Sequence, residues 1–120
     1  WEAPSNIALV KYWGKYDPQL PANSSISFSL SESKTITTLV AAPKQETGVS
    51  FELFLDGQPK PSFHEKIQSF LHRIATYVPY ISQYHLQIHT HNTFPHSSGI
   101  ASSASSMAAL SLGILSLEKE

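Results

Sequence analysis

A small domain that packs helices against a β-sheet is the fold class that this sequence predicts, and two kinds of pattern predict it. Apolar and polar residues alternate strictly in 25–31 and 84–91, as they do in half-buried β-strands. Apolar residues recur at helical spacing in 63–78 and again in 107–117. A chain of 120 residues, 41% of them hydrophobic, can build one core and no second domain.

Four strands are predicted in the first half of the chain. β-Branched and apolar residues favour strands at 5–13 and 35–42, and alternation favours strands at 25–31 and 50–55. The turn signal Asp56-Gly57 ends the last of these. We expect three side chains of the 25–31 strand to lie in the core: Ile26, Phe28 and Leu30.

The second half predicts two helices with a strand between them. Ser62 and Glu65 match a capping box, which indicates a helix start, and Pro79 is expected to end that helix. A fifth strand is predicted at 84–91, with Leu86 and Ile88 facing inward. Each helix presents an apolar stripe to the sheet, namely Phe63, Ile67, Phe70, Leu71, Ile74 and Val78 in the first and Met107, Leu110, Ile114 and Leu117 in the second.

Charge and composition narrow the classes of function. Eight Lys and Arg stand against nine Asp and Glu, a net charge of −1, so no overall basic field recruits nucleic acid or an anionic membrane. The absence of cysteine excludes disulfides and thiolate metal sites, and it suits a reducing cytoplasm. No stretch of the sequence has membrane-spanning length. Because the chain opens on Trp1 and closes on the polar tail of a helix, we expect it to be a piece of a longer protein.

The most informative segment is 94–105, a run of small residues that opens directly into the last helix. Such a loop lets an anion reach several backbone N–H groups together with the positive end of a helix dipole. The hydroxyls of Ser102, Ser103 and Ser105 can add donors or reach a magnesium ion carried by a nucleotide. His96 either donates to a nucleotide oxygen or is an ordinary loop residue. The alternative for the whole segment is a serine-rich linker, although linkers do not normally continue into a periodic apolar helix.

Two lysines flank the end of the first strand, in Lys11-Tyr12-Trp13-Gly14-Lys15, and the prolines of 16–24 indicate a loop after it. Two ammonium groups and a phenol can pair with phosphate or carboxylate oxygens. Alternation places Lys11 on the same face as Ile7 and Leu9, and a lysine on an apolar face usually needs an anionic partner. The ordinary alternative is that both lysines extend to water and that Trp13 belongs to the core.

The outward side chains of the fifth strand include three histidines, which raises the possibility of a metal site. His89 and His91 share a face with His85 and Gln87, but nothing acidic lies within the strand. A solvated sheet face explains the same pattern.

Three motifs in order along the chain resemble the amino-terminal part of the diphosphomevalonate decarboxylase family. They lie at 6–15, 20–27 and 94–105. The third motif alone matches the wider GHMP small-molecule kinase superfamily, whose loop reads Pro-x-x-x-Gly-[Leu/Ile]-[Gly/Ala]-Ser-Ser-Ala. The Lys-Tyr-Trp-Gly-Lys block is what points to the decarboxylases. Ile100 stands where these enzymes commonly have Leu, a conservative difference.

The resemblance implies an α+β fold, in which a ribosomal-protein-like amino-terminal domain with a mixed sheet and packed helices precedes a ferredoxin-like second domain. Residues 1–120 would supply part of the first domain and none of the second. The implied activity is the ATP-dependent decarboxylation of mevalonate 5-diphosphate to isopentenyl diphosphate, with a homodimer as the full-length protein.

Site residues follow from the resemblance by position. Lys11 is the implied catalytic residue, Asn6 lies near the reacting end of the substrate, and Tyr12 and Lys15 face its diphosphate. The family's catalytic aspartate, with its partner arginine and serine, comes from beyond the last helix, and neither Asp17 nor Asp56 matches it. ATP would be held by Pro95, His96, Ser97, Ser98, Gly99, Ile100, Ala101, Ser102, Ser103, Ala104 and Ser105, with Ser102 or Ser103 near magnesium.

Three rival functions are compatible with parts of the sequence. A mevalonate or phosphomevalonate kinase shares the serine loop but stops at phosphorylation. Related α+β domains also bind RNA, against which the net charge of −1 argues. An interaction domain that keeps only the nucleotide loop is the third.

Overall fold

The computed structural model describes residues 1–10, 14–18, 20–95 and 102–120. Its strands are β1 (Glu2–Val10), β2 (Lys15–Tyr16), β3 (Leu20–Pro21), β4 (Ile26–Pro43), β5 (Ser50–Leu55), β6 (Gln58–Pro59) and β7 (Tyr84–Asn92). Its helices are α1 (His64–Ile74) and α2 (Ser102–Glu118), with short 3-10 turns at Pro61–Phe63 and Pro79–Ser82.

One mixed sheet organises the described residues. Its strand order is β1-β4-β7-β5-β6, and every neighbouring pair is antiparallel except β5 and β7, which are parallel. A connection through β6 and α1 joins the two parallel strands, as a parallel pair requires. The α+β class with a mixed sheet and packed helices is therefore confirmed.

The core lies between the sheet and the two helices. Leu86 and Ile88 of β7 are buried, as alternation predicted, and so are Leu110 and Ile114 of α2. The α1 stripe is buried at Ile67 and Leu71, and its remaining members are half-buried or lie beyond the helix. The core cluster consists of Leu39, Phe51, Leu53, Ile67, Leu71, Val78, Ile81, Leu86, Ile88, Leu110 and Ile114.

Strand β4 is a single strand of 18 residues, where the sequence predicted two. It stays continuous past a bulge, because Pro4 pairs with Lys34 whereas Ser5 pairs with Leu30. Residues 31–33, which overlap the predicted gap at 32–34, are thus left without a partner on β1. The three extra residues also exchange the faces of the strand, so that odd positions after the bulge share a face with even positions before it.

The expectation that Ile26, Phe28 and Leu30 form core is wrong for the first two. Ile26 is 61% exposed and Phe28 is 47% exposed, and Leu30 is half-buried. Phe28 pairs with Ile7 on β1, which is also exposed. The sheet here extends past the first turn of α2, which contacts the sheet at Thr35, so neither described helix covers these rows.

Helix α1 begins and ends differently from its sequence signals. Its N-cap is Phe63, and no side chain caps it, so the capping box of Ser62 and Glu65 does not form. The reason is that Pro61 opens a 3-10 turn that contains Ser62. The helix ends at Ile74, five residues before Pro79, and the N–H of Val78 donates to the Ile74 carbonyl at 2.9 Å in the turn that follows.

The Asp56-Gly57 turn and the last helix are confirmed, whereas the loop expected at 16–24 contains a short hairpin. Asp56 and Gly57 have φ values of 51° and 79°, the left-handed pair that a tight hairpin turn requires. Helix α2 begins at Ser102, so the serines from there onward are helical rather than part of a linker. Within 16–24, where a loop was expected, β2 and β3 form a short hairpin. Neither described helix is long and apolar enough to span a bilayer.

Candidate functional site

The first two motifs are held together by strand pairing. Val10 of β1 pairs with Ile26 of β4, and Lys15 of β2 pairs with Pro21 of β3. The N–H of Ala22 also donates to the Gly14 carbonyl at 2.8 Å. Residues of the first motif are therefore neighbours of residues of the second motif. They meet at the edge strand β1 and in the hairpin of β2 and β3 that follows it.

Substrate residues expected from the resemblance are described at two positions. Asn6 is half-buried on β1 and pairs with Ser29. Lys15 is exposed on β2. The expected positions Lys11 and Tyr12 lie outside the described residues.

The third motif ends in the first turn of α2, which has the features of an anion site. Its 17 residues give the helix a full dipole, and its first turn carries no acidic residue that would repel a phosphate. Ser103 and Ala104 are exposed there, and Pro95 is exposed on the other side of the loop. Residues 96–101 and the Ser102 side chain lie outside the described part of the chain, so the expectations for His96, Ser97, Ser98, Gly99, Ile100 and Ala101 remain predictions.

Ser105 occupies a different position from the one expected of its hydroxyl. It is buried, and its Oγ lies 2.7 Å from Oγ1 of Thr35 on β4. Thr35 in turn donates to Oδ1 of Asn92 at 2.6 Å. The Ser105 side chain therefore contacts the sheet rather than an approaching phosphate. A phosphate contact through its backbone N–H stays a prediction.

A largely apolar cavity of about 90 Å³ adjoins the same turn, between α1, α2 and the sheet. Ser103 and Ser106 line it at the start of α2, and Lys66 of α1 lines it from another side. An apolar cavity with a few polar groups is the usual form of a small-molecule site. The other lining residues are Thr37, Leu53, Leu55, Phe63, Ile67, Ile88, Thr90, Asn92, Met107 and Leu110.

The histidine face of β7 packs against side chains of β5. Nδ1 of His85 lies 2.9 Å from Oγ of Ser50, and Nε2 of His85 lies 3.6 Å from a carboxylate oxygen of Glu52. His89 stacks on Phe54 with ring centroids 4.7 Å apart. Among the residues that the structure describes, no group of three or more His, Asp or Glu side chains is placed to hold a metal ion.

Sequence patterns missed three residues at this site, namely Thr35, Asn92 and Lys66. Thr35 and Asn92 carried no signal because small polar residues in strands are common. Lys66 carried no such signal either, because a lysine beside the apolar stripe of a helix is common, and only the structure shows that it lines the cavity.

Comparisons with known proteins show the family of the chain. A curated relative, diphosphomevalonate decarboxylase of Saccharomyces cerevisiae, is 39% identical over 96% of this chain and 32% of its own length. The solved mevalonate diphosphate decarboxylase of Staphylococcus aureus superposes with a TM-score of 0.82 at 30% identity, over 98% of this chain and 35% of that one.

Two further solved structures match with a TM-score of 0.75 at 32% identity, over 91% of this chain and 33% of theirs. One concerns the mevalonate diphosphate mediated ATP binding mechanism of the Enterococcus faecalis decarboxylase, and the other is MDDEF in complex with MVAPP, AMPPCP and magnesium.

The chain spans about a third of the length of these relatives. The family model that describes the diphosphomevalonate decarboxylase-like N-terminal domain matches residues 3–119. This match covers nearly the whole sequence and includes all three motifs. The chain therefore belongs to the diphosphomevalonate decarboxylase-like N-terminal domain family.

Proposed function

We propose that this chain is the amino-terminal, ATP-binding part of an enzyme that decarboxylates mevalonate 5-diphosphate to isopentenyl diphosphate. Family membership supports the proposal, as do the curated and solved relatives, which carry this activity in their names. The structural observation that carries it is the apolar cavity beside the first turn of α2.

The cavity and the helix start together suit a nucleotide. A nucleobase is flat and largely apolar on its faces, so it gains from contact with Leu53, Phe63 and Met107. The polar lining residue Thr90 can hydrogen-bond the edge of the base, whereas Oδ1 of Asn92 already accepts from Thr35. A base in the cavity places the phosphates toward Ser103, where the helix dipole and the small-residue loop favour negative charge.

Lys66 adds a full positive charge to the partial positive charge of the helix start. It lines the cavity opposite the first turn of α2, so its ammonium group can pair with a nucleotide phosphate. Magnesium binds oxygen donors, so the hydroxyls of Ser102 and Ser103 can be ligands. They would be accessory ligands, because the ion keeps several waters and nucleotide oxygens in its coordination shell. When bound, the ion would neutralise charge on the transferring phosphate.

The substrate would meet the nucleotide from the β1 side of the sheet. We assign the substrate diphosphate to Lys15 and Tyr12, and the reacting end to Asn6 and Lys11. Phosphorylation of the tertiary hydroxyl turns it into a good leaving group, and its departure is coupled to loss of the carboxylate. These residues would bind and orient both charged ends, which is most of what phosphoryl transfer asks of a protein.

Titration calorimetry with magnesium and ATP tests the nucleotide site on the chain itself. Lys66→Ala is expected to weaken ATP binding about tenfold, the loss of one charge-assisted contact. Arg73→Ala is the matched control, because Arg73 is a basic residue of the same helix that does not line the cavity. Equal ATP affinity in the wild type and Lys66→Ala would remove Lys66 and the cavity from the site.

Product analysis tests the decarboxylation. Carbon dioxide and isopentenyl diphosphate are expected from the full-length enzyme that carries this domain. A phosphorylated product without carbon dioxide would assign the chain to a kinase of the same superfamily.

A further inference from the structure

We propose that Thr35 is a positioning residue that fixes both ends of the nucleotide loop through one buried hydroxyl. The inference rests on the proposed function, because it deepens the account of the same site. Thr35 itself is buried under the first turn of α2, so it acts through Asn92 and Ser105 and not by contact with ATP.

The geometry joins the two flanks of the loop at a single atom. Asn92 is the last residue of β7, and Ser105 is the fourth residue of α2. The chain between them, 93–104, holds the small-residue motif. Oγ1 of Thr35 lies 2.6 Å from Oδ1 of Asn92 and 2.7 Å from Oγ of Ser105, so both flanks meet the same hydroxyl of β4.

The hydrogen count gives this contact a direction. A threonine hydroxyl has one hydrogen, and Thr35 donates it to Oδ1 of Asn92. Ser105 must therefore be the donor in its contact with Thr35. Removing the Thr35 hydroxyl leaves the Ser105 hydroxyl without this acceptor and Asn92 Oδ1 without this donor.

A second threonine, Thr93, joins the residues at which the loop begins to the bulge of β4 by hydrogen bonds. Oγ1 of Thr93 donates to the carbonyl of Glu32 at 3.0 Å and accepts from the N–H of Lys34 at 3.0 Å. The N–H of Thr93 donates to the Lys34 carbonyl at 2.9 Å. Glu32, which has no partner on β1, and the neighbouring Lys34 thus hold the strand end at which the loop begins.

Such ties are needed because of the composition of the loop. Small side chains admit a phosphate to the backbone and bury little surface themselves. Hydrogen-bonded flanks define where the loop begins and ends, and binding then costs less conformational entropy. The phosphate part of the ligand should depend on Thr35, whereas the base, which lies in the cavity, should not.

The test compares ATP with adenosine, which has the base but no phosphates. Thr35→Val keeps the shape of the side chain without its hydroxyl, and it is expected to weaken ATP binding about tenfold while adenosine binding changes less than about twofold. Ser105→Ala should weaken ATP binding about threefold. Thr35→Ser, which keeps the hydroxyl, should bind ATP about as well as the wild type does. Tyr80→Phe is the matched control, because it removes a 2.7 Å hydrogen bond from Tyr80 to the Ile114 carbonyl, far along α2.

Equal losses for ATP and adenosine would overturn the proposal, since a merely structural role affects both ligands. If Thr35→Val does not fold, Ser105→Ala decides, because alanine is a good helix residue at that position. Hydrogen exchange of the ligand-free chain is the independent readout. Thr35→Val should speed exchange at the amides of 93–104 relative to those of α1, and unchanged rates there would contradict the positioning role of Thr35.

The two failures can be told apart. If the wild type binds no ATP, the proposed function fails, and the nucleotide role of Thr35 fails with it. If the wild type binds ATP and Thr35→Val binds it equally well, the positioning role alone fails.

Discussion

A Cβ atom placed on Gly113 would lie 2.6 Å from Cδ1 of Leu39, and 3.0 Å from Cε3 of Trp1. Helix α2 therefore approaches β4 so closely that only hydrogen fits at this position. Leu39 is itself part of the buried core, so its methyl group has little room to move. This contact sets the distance between the helix and the sheet.

Gly113→Ala should destabilise the domain. In an exposed helix the change gains about 1 kcal/mol, but overpacking costs about 1 to 3 kcal/mol, so we expect a net loss of about 1 kcal/mol. Urea unfolding followed by circular dichroism measures it, with Ser116→Ala in the same helix as the control. A more stable Gly113→Ala variant would show that Leu39 and Trp1 can shift freely.

Stability should fall at high pH because of Tyr80. Burial, with Glu118 as a smaller cause, raises the pKa of Tyr80 from 10.0 to about 12. A raised pKa favours the neutral phenol in the folded state, so its contribution is complete below pH 10 and is lost as the pH rises through about 12.

Unfolding of the wild type and of Tyr80→Phe at several pH values isolates this effect. The stability difference between them should shrink between pH 10 and about 12. Tyr77→Phe is the control, because Tyr77 is largely exposed. A difference that is constant across that range would contradict the assignment.

Lys15→Ala should affect the isoprenoid substrate more than ATP. In the full-length enzyme, we expect its Michaelis constant for mevalonate 5-diphosphate to rise roughly ten- to a hundredfold, the loss of a charge-assisted contact. Lys11→Ala should instead lower turnover, because Lys11 is assigned to the reacting end. An equal rise of the Michaelis constants for both substrates in Lys15→Ala would contradict the assignment of Lys15 to the diphosphate.

The chain of 120 residues should release no carbon dioxide by itself. Its sequence has no match to the family's catalytic aspartate, and part of a site seldom turns over. The exposed Leu9, Ile26 and Phe28 should also make it prone to association until other polypeptide covers them. Release of labelled carboxylate is assayed with the chain alone and with the remaining sequence added; activity in the chain alone would point to another base.

Local patterns predicted the elements well where one side of a segment is buried by the chain itself. The alternation of β7 and the stripe of α2 are examples, because both face the same core. The same alternation misled at Ile26 and Phe28, since periodicity shows which residues share a face but not whether anything covers it. The capping box failed because Pro61 starts a 3-10 turn through Ser62, a local competition that the motif does not encode.

The site was predictable only in part for a related reason. The small-residue segment 94–105 predicted an anion site directly before the last helix, and the structure begins that helix inside the segment, at Ser102. Strand pairing, which no motif predicted, places Lys15 beside the second motif. The contact between Thr35 and Ser105 spans 70 positions of sequence and joins two ordinary polar residues. No local sequence pattern indicates such a pair, because the two hydroxyls meet only through the register of β4 and the position of α2 on the sheet.

Binding of nucleotide phosphates at the small-residue loop before α2 is tested most directly by Gly99→Val. Calorimetry with magnesium and ATP should show binding at least about tenfold weaker than that of the wild type, because a β-branched side chain keeps phosphate away from the backbone. The circular dichroism spectrum should stay unchanged. Wild-type affinity in a normally folded Gly99→Val chain would contradict the claim.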